Sequence, residues 1–339
     1  MTEIGGVNRP PAAPRLSDGN RPPAAPLLEV RELRYFRAVA EELSFSAAAR
    51  RLGIAQPPLS RAISKLERQL GVRLLNRDHH HVELTAAGAT LLEEARDVLD
   101  AVSAAAHRTR QAAQTSPRLV ITAKPGAASL LPRLVEAYRA GAGSQPEAAE
   151  VEVLVSGHGQ QVDLVRTGRA DAALIGPPHR HPGLDAEPLL AEPRVAALPA
   201  GHPLTKRDSL RCIDLVGYPI PQRPNAGPEA REYWTGRDRI TPADGAPASP
   251  PGPMVQDHSQ LLEVVALGQA VALIPESLAA QSQRPEIVYR PVTDASPYTI
   301  ALVWPARVRN RWLAEFVRTA MEYAASRGGV LFEELAAAQ

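Results

Sequence analysis

The chain has 339 residues, room for about two domains at roughly 100 to 200 residues each, which excludes a single small module. Apolar residues make up 44% and charged residues 22%, ordinary globular values that exclude wholesale disorder. With 38 basic and 37 acidic residues the net charge is only +1, so affinity for a polyanion has to come from a local cluster.

Residues 1–29 carry RPPAAP twice, at 9–14 and 21–26, with few large apolar residues. Such a segment cannot offset its ordering entropy and reads as a disordered tail. It lacks the basic start and apolar stretch of a signal peptide, and nowhere does the chain hold an apolar run of about 18 residues. A cytoplasmic protein with no membrane partner is therefore expected.

From Leu27 the pattern changes. Leu33, Phe36, Val39 and Ala40 fall at helical spacing, and LSFSAAARRLGIAQPPLSRAISKLERQLG holds two amphipathic segments split by Gly53, which predicts helix, tight turn, helix. Residues 31–81 contain ten basic and five acidic residues, so the near-neutral chain conceals one basic segment, although a solvated charged face gives the same count. Pro57 and Pro58 suit a first helical turn, where a missing N–H costs nothing, and leave Gln56, Ser60 and Arg61 projecting from the helix start. Arg can pair with guanine, Gln with adenine, and Ser with bases or phosphates.

Thr85 is a candidate N-cap for a helix reaching about Gln114. Within it Leu92, Ala95, Leu99, Val102 and Ala106 step by three and four, and Leu91, Val98 and Ala105 recur every seven residues, the pattern of a coiled-coil seam. The other reading is an ordinary core helix. Thirty residues would span about 45 Å, long for a small domain without a partner.

After Pro117 strands and helices alternate: strand 118–123, helix 128–138, strand 151–155, helix 160–167 and strand 171–175, implying a parallel sheet. VAALPA, a helix around 209–215, a helix near 228–234, HSQLLEVVALG and AVALIP follow, then the strands EIVYRPV and YTIALVW and a helix over 310–325. Cys212, the only cysteine, excludes an internal disulfide framework and multi-cysteine metal sites within one chain, and its neighbours in SLRCIDL predict a buried thiol. TPADGAPASPPGP, between Gly236 and Pro253, reads as a loop whose prolines forbid regular structure.

The run LRYFRAVAEELSFSAAARRLGIAQPPLSRAISKLERQLGVRLLNRDHHHVELTAAG resembles the winged helix-turn-helix of the LysR-type transcriptional regulators. LLPRLVEAYR, GRADAALIGPP, PAGHPL, LLEVVALGQAVALIP and YTIALVW are similar to that family's sensor half, so the likeness spans about residues 30–325. It implies an α/β chain: an N-terminal winged helix-turn-helix (30–84), a long linker helix for dimerisation (85–116), and a C-terminal effector domain of two subdomains like a periplasmic binding protein (117–325), then a tail (326–339). Subdomain I would comprise 117–190 and 293–325, and subdomain II 191–292. Carried over residue by residue, Gln56, Pro57, Pro58, Ser60 and Arg61 are major-groove or adjacent backbone contacts, Lys65 a phosphate contact and Arg77 the wing arginine. DHHHVELT departs from the usual basic, Gly-rich wing turn. The partners implied are double-stranded DNA bearing an inverted repeat, a small-molecule effector, and further copies in a homodimer through the linker helix and a homotetramer.

Ligands of parallel sheets collect beyond the carboxyl ends of the strands, where helix N-termini favour anions. Those positions are Lys124, Pro125 and Gly126 onward to Ala128, and Ser156 to Gly159 with His158. Pro224 and Asn225 of PQRPN would face them from the other lobe. A lysine and a histidine on the rim favour an anionic or carboxylate effector; the alternative puts Lys124 in solvent and His158 at a helix cap. His79, His80 and His81 on an extended wing point to alternate faces and do not converge on a metal ion. No P-loop, G-x-S-x-G, dinucleotide fingerprint or HExxH occurs, so neither an enzyme nor a cofactor is expected. The rival function is a DNA-binding regulator whose C-terminal half is only an oligomerisation module without effector. Abundant Arg and Ala with three lysines accord with a GC-rich bacterial genome.

Overall fold

The computed structural model describes residues 28–77, 81–113, 116–125, 127–142, 148–157, 159–177, 179, 181–224, 226–241, 249–307 and 310–337. It divides into two compact units, residues 1–99 and 100–339. Most of the expected Pro-rich tail, up to residue 27, lies outside the described residues.

The first unit starts with α1 (Val30–Glu42), α2 (Phe45–Leu52) and α3 (Gln56–Leu70), followed by the antiparallel hairpin β1 (Leu75–Arg77) and β2 (Val82–Leu84). Local chemistry sets each boundary. The Ser44 hydroxyl accepts from the Ala47 N–H and caps α2, Gly53 ends it in the left-handed region at φ 66°, and Pro57 and Pro58 occupy the first turn of α3. Phe36, Val39, Leu59, Ile63, Leu66, Leu74 and Leu75 form one buried core. Glu67 Oε1 accepts from the Leu74 and Leu75 N–H groups at 3.0 and 3.2 Å, fastening the hairpin to α3.

Helix α4 (Ala86–Ala112) begins where the Thr85 hydroxyl accepts from the Gly88 N–H at 3.0 Å. Gly88 is required by proximity: a Cβ there would lie 2.0 Å from the Leu74 carbonyl oxygen. Leu92, Ala95 and Leu99 are buried, the last two with Leu33 of α1, so this part of the three-four stripe is used within the chain. Val98 of the seven-residue line is 42% exposed, and Ala105 is exposed as well.

The second unit holds two lobes. In the first, a five-stranded sheet runs β4 (Glu150–Val155), β3 (Arg118–Ala123), β5 (Ala172–Ile175), β12 (Tyr298–Pro305), β6 (Leu184–Glu192). β3 is parallel to β4 and β5, as the alternation of strand and helix predicts. β12 runs antiparallel to β5 and β6, because the chain re-enters this sheet from the other lobe. The 3-10 turn Ala127–Leu130 leads into α5 (Leu131–Ala142), which packs on the sheet through Leu131, Leu134 and Tyr138 beside Phe316 of α10 (Arg311–Ala337). The backbone of α10 is helical to Ala337, past the helix end expected near residue 325 and on through Gly328 and Gly329 into the expected tail.

The second lobe centres on β7 (Arg194–Pro199), flanked antiparallel by β10 (Ala272–Pro275) and β11 (Ile287–Pro291). Helices α7 (Pro228–Thr235), α8 (His258–Ala266) and α9 (Glu276–Gln281) surround it, with α6 (Gln161–Arg166) belonging to the first lobe. The helix expected around 209–215 is a 3-10 turn, Cys212–Leu215. Part of the expected Pro-rich loop is a strand: β9 (Pro251–Met254) pairs parallel with β8 (Ile220–Gln222) in a sheet of two. Proline is admitted because both are edge strands, where a missing N–H breaks no ladder on the outer side.

The chain passes between lobes twice, at Pro193 and between β11 and β12. Arg194, buried at the first crossing, donates from Nε to the Ser296 carbonyl at the second (2.5 Å) and from Nη1 to the Tyr233 carbonyl of α7 (2.7 Å). Its guanidinium stacks 3.9 Å from the Tyr233 ring, and the Tyr233 hydroxyl donates to the Pro297 carbonyl. Replacing Arg194 by Leu should cost about 2–3 kcal/mol in urea unfolding, since the Ser296 carbonyl loses its charged donor. Arg194→Lys should restore less than half of that loss, because an ammonium cannot reproduce the planar fork.

Candidate functional site

Two surfaces gather the residues singled out in the sequence. On α3, Leu59, Ile63 and Leu66 face the core, so Gln56, Pro57, Pro58 and Arg61 are exposed and Ser60 half-buried on the opposite face. Ser60 and Arg61 line a shallow groove together with Ser64, Arg68 and Arg73. The last three carried no contact assignment from the sequence, although Arg68 and Arg73 are among its ten basic residues over 31–81 and helical spacing from Ser60 points to Ser64. The groove is basic: Glu67 is its only acid, and that carboxylate accepts the two hairpin N–H groups.

Lys65, expected as a phosphate contact, is paired within the chain. Its ammonium donates to Glu32 Oε1 at 2.7 Å and lies 3.8 Å from Glu29, and the bond to Glu32 raises its pKa. Glu32 is buried on α1 and a buried carboxylate needs a counter-charge, so Lys65 pins α3 to α1. Arg51 is similarly engaged, with Glu41 and Glu42. Arg77 closes β1, but its side chain and residues 78–80, with His79 and His80, lie outside the described residues. Among the described residues no group of three His, Cys, Asp or Glu could hold a metal ion.

The second surface lies in the sensor half. Lys124 directly follows β3 and is only 5% exposed. Its ammonium lies 5.3 Å from the Tyr298 ring centroid and 5.9 Å from that of Trp234, a distance at which the ring quadrupole attracts a cation. Burial, then the neighbouring Arg223 charge, bring its pKa down to about 7. Among the described residues no carboxylate pairs with it. Arg223 stacks 4.2 Å from the Trp234 ring, and burial lowers its pKa to about 10. His258, the first residue of α8, is pushed to about 3 by burial and then by Lys124 and Arg223. Tyr298 is buried, and desolvation raises its hydroxyl pKa. Gly176 makes room for that ring, since a Cβ there would meet the hydroxyl oxygen at 2.3 Å.

Beneath this cluster the hydrogen bonds are closed. Thr122 gives its proton to the Leu154 carbonyl, so in the 2.8 Å contact between Thr122 and Ser156 it is Ser156 that donates. Ser156 also accepts from Gln161 Nε2 at 2.7 Å. Its hydroxyl therefore braces the ends of β3 and β4, with its one proton spent. Pro125 and Pro224 are exposed at the rim, while Gly126, His158 and Asn225 lie outside the described residues. Arg223, Trp234, His258 and Tyr298 were missed in the sequence. Arg223 stands beside Pro224 in PQRPN and could have been found by its charge; the others come from elements no local spacing connects to β3.

Cys212 is fully buried, and burial with the Asp294 carboxylate pushes its thiol up to about 12. No helix among the described residues is long and apolar enough to cross a membrane.

Comparison with known proteins agrees with this organisation. Residues 112–325 match the LysR substrate binding domain, and residues 30–89 match the bacterial regulatory helix-turn-helix protein, lysR family. The chain is similar to the Hca operon transcriptional activator HcaR of Escherichia coli (strain K12), 31% identical over 308 residues, covering 88% of this chain and 99% of HcaR. It is also similar to the HTH-type transcriptional regulator AlsR of Bacillus subtilis (strain 168), 39% identical over 196 residues. That match covers 57% of this chain and 63% of AlsR, less than two thirds of its length. The crystal structure of CbnR, a LysR family transcriptional regulator, superposes with a TM-score of 0.53 at 27% identity, covering 88% of this chain and 99% of CbnR. The chain belongs to the LysR family of DNA-binding transcriptional regulators, in which a helix-turn-helix reader precedes an effector-binding domain.

Proposed function

We propose that this regulator senses a small carboxylate through Lys124 and Arg223 and acts in the cytoplasm on an operator with an inverted repeat. The observation that carries the effector class is the buried Lys124 ammonium, for which no described carboxylate serves as partner. Burying a charge without a counter-ion is costly, and an anion arriving at Lys124 removes that cost. His258, held neutral, and the hydroxyl of Tyr298 can donate hydrogen bonds beside it. Such a basic cluster has no purpose in a half that serves only assembly. The chain binds and does not turn over its ligand.

On DNA we assign base reading to Gln56, Ser60 and Arg61 at the start of α3, backbone contacts to Pro57 and Pro58, and phosphate contacts to Ser64, Arg68 and Arg73, with Arg77 on the wing. The exposed line through Val98 and Ala105 supports pairing of two copies through α4, and two such dimers would give a homotetramer. A pair of readers calls for half-sites about one helical turn, roughly 34 Å, apart. A footprint on DNA upstream of the protein's own gene, at fixed salt, tests the whole reading: an extended protected inverted repeat that one carboxylate shortens or shifts is expected. Protection indifferent to every carboxylate would remove the effector class while leaving DNA binding.

Arg61→Ala should lose about 1–3 kcal/mol of preference for the operator over random DNA. Arg68→Ala and Arg73→Ala should weaken both DNAs alike and each reduce the slope of log K against log salt by about 0.9. Lys65→Ala should leave that slope unchanged while lowering stability, because its charge is committed to Glu32; a reduced slope would return Lys65 to the phosphates.

The pH dependence has a definite sign. Lys124 titrates near 7 in the free protein, and a bound carboxylate raises that value, so binding above pH 7 takes up a proton. Carboxylate affinity should fall as pH rises from 7 to 9, by up to about tenfold per unit. Calorimetry at pH 8 in two buffers of different ionisation enthalpy should show uptake approaching one proton, and Lys124→Met should abolish it. Heats independent of the buffer would exclude Lys124 as the anion's partner.

A further inference from the structure

A partly open pocket of about 170 Å3 lies within the second lobe, among β8, β9, α7, α8 and β10. Ile220, Pro221, Ala230, Leu261, Ala272 and Leu273 make most of its wall apolar, and none of its lining residues is an aspartate or glutamate. Arg223 and Trp234 belong to this wall, and both also border Lys124: the Trp234 ring carries the Arg223 guanidinium at 4.2 Å and the Lys124 ammonium at 5.9 Å. The basic cluster and the apolar cavity therefore share one partition.

Size decides what such a space can hold. An enclosed apolar cavity of about 150 Å3 stays dry and takes up a benzene ring. This one is comparable in volume, though open on one side; of its other polar members Gln222 and Arg231 are exposed and Thr235 and Ser249 half-buried, whereas the buried part of the wall, Ile220, Leu261, Ala272 and Leu273, is apolar throughout. A ligand reaching in from Lys124 meets charge at one end and hydrocarbon at the other.

We propose that the cavity is the apolar half of the effector site, and that the effector is a monocarboxylic acid with a compact body of about six or seven carbon atoms, branched or cyclic. Its carboxylate lies against Lys124 and Arg223, and its body passes the Trp234 ring into the second lobe. This inference rests on the carboxylate reading above and adds to it the shape and charge count of the ligand. Because the body would be held by α7 and α8 while the carboxylate is held at the end of β3, one molecule would tie both lobes.

Titration calorimetry on the full chain with acetate, butanoate, hexanoate, benzoate, 2-naphthoate and hexanedioate tests it. Affinity should tighten about fourfold for each methylene added from acetate to hexanoate. Benzoate should bind with hexanoate or better, and 2-naphthoate should be excluded. Hexanedioate should bind at least tenfold more weakly than hexanoate, since its second carboxylate would enter hydrocarbon. Ala230→Phe, on α7, should remove the gain of hexanoate over acetate while keeping the affinity for acetate. Ala226→Leu narrows the same space and serves should the first variant not fold; Lys124→Met should weaken every acid. Hexanoate no tighter than acetate, hexanedioate tighter than hexanoate, or variants that fold yet weaken acetate as much as hexanoate would each overturn the proposal. Silence of the unmodified protein to all six acids would instead remove the carboxylate reading, and this inference with it.

Discussion

The two lobes of the sensor half are joined by two passages of the chain, and a single buried guanidinium holds both passages together. Arg194 bonds across from the first crossing to the carbonyl of Ser296 in the second, and on to the carbonyl of Tyr233. Tyr233 precedes Trp234 on α7, so the same side chain that fastens the crossings also fixes the helix that carries one wall of the basic cluster. The cleft geometry therefore follows from the crossings, and a disturbance of Arg194 would be felt at Lys124 without any contact between the two.

That basic cluster works against the stability of the free protein. Moving a lysine from its usual pKa near 10.5 to about 7 disfavours the charged form by about 1.4 kcal/mol per unit. In the folded state the neutral amine is favoured, so the contribution to stability is full above pH 10.5 and is lost progressively as pH falls toward 7. Proteins seldom keep such groups for packing alone, and strongly shifted groups gather at functional sites. Ser156, Thr122 and Gln161 spend their hydrogen bonds on one another, which leaves Lys124 as the member of that strand-end group with bonding capacity to spare.

The DNA-reading unit was legible in the sequence because its signals are local: a serine cap, a glycine at a left-handed position, prolines in a first turn and an apolar period. The end of the first sensor strand was legible for the same reason, which is how Lys124 was found. What escaped notice depended on partners distant in the chain. Trp234 and Tyr298 reach Lys124 only after the chain has twice changed lobes. The pairing of Lys65 with the buried Glu32 escaped notice in the same way, because α1 delivers that carboxylate from 33 residues away. Pro251 and Pro253 looked like breakers, yet a proline at a sheet edge gives up no bond on its open side. The alternation of strand and helix predicted the parallel pairings of β3 but could not reveal that β12 enters the same sheet reversed.

The isolation of Cys212 has its own consequence. Its sulfur lies under the second lobe, closed in by Leu210, Leu215 and Leu273, and its backbone N–H donates to Asp294 on the returning passage. With the thiol held near pKa 12, almost none of it is thiolate at neutral pH, and the thiolate is the reactive form. The sulfur is thus a built-in clock: its rate of capture by a thiol reagent measures how often the second lobe opens, with no other cysteine in the chain to confuse the signal.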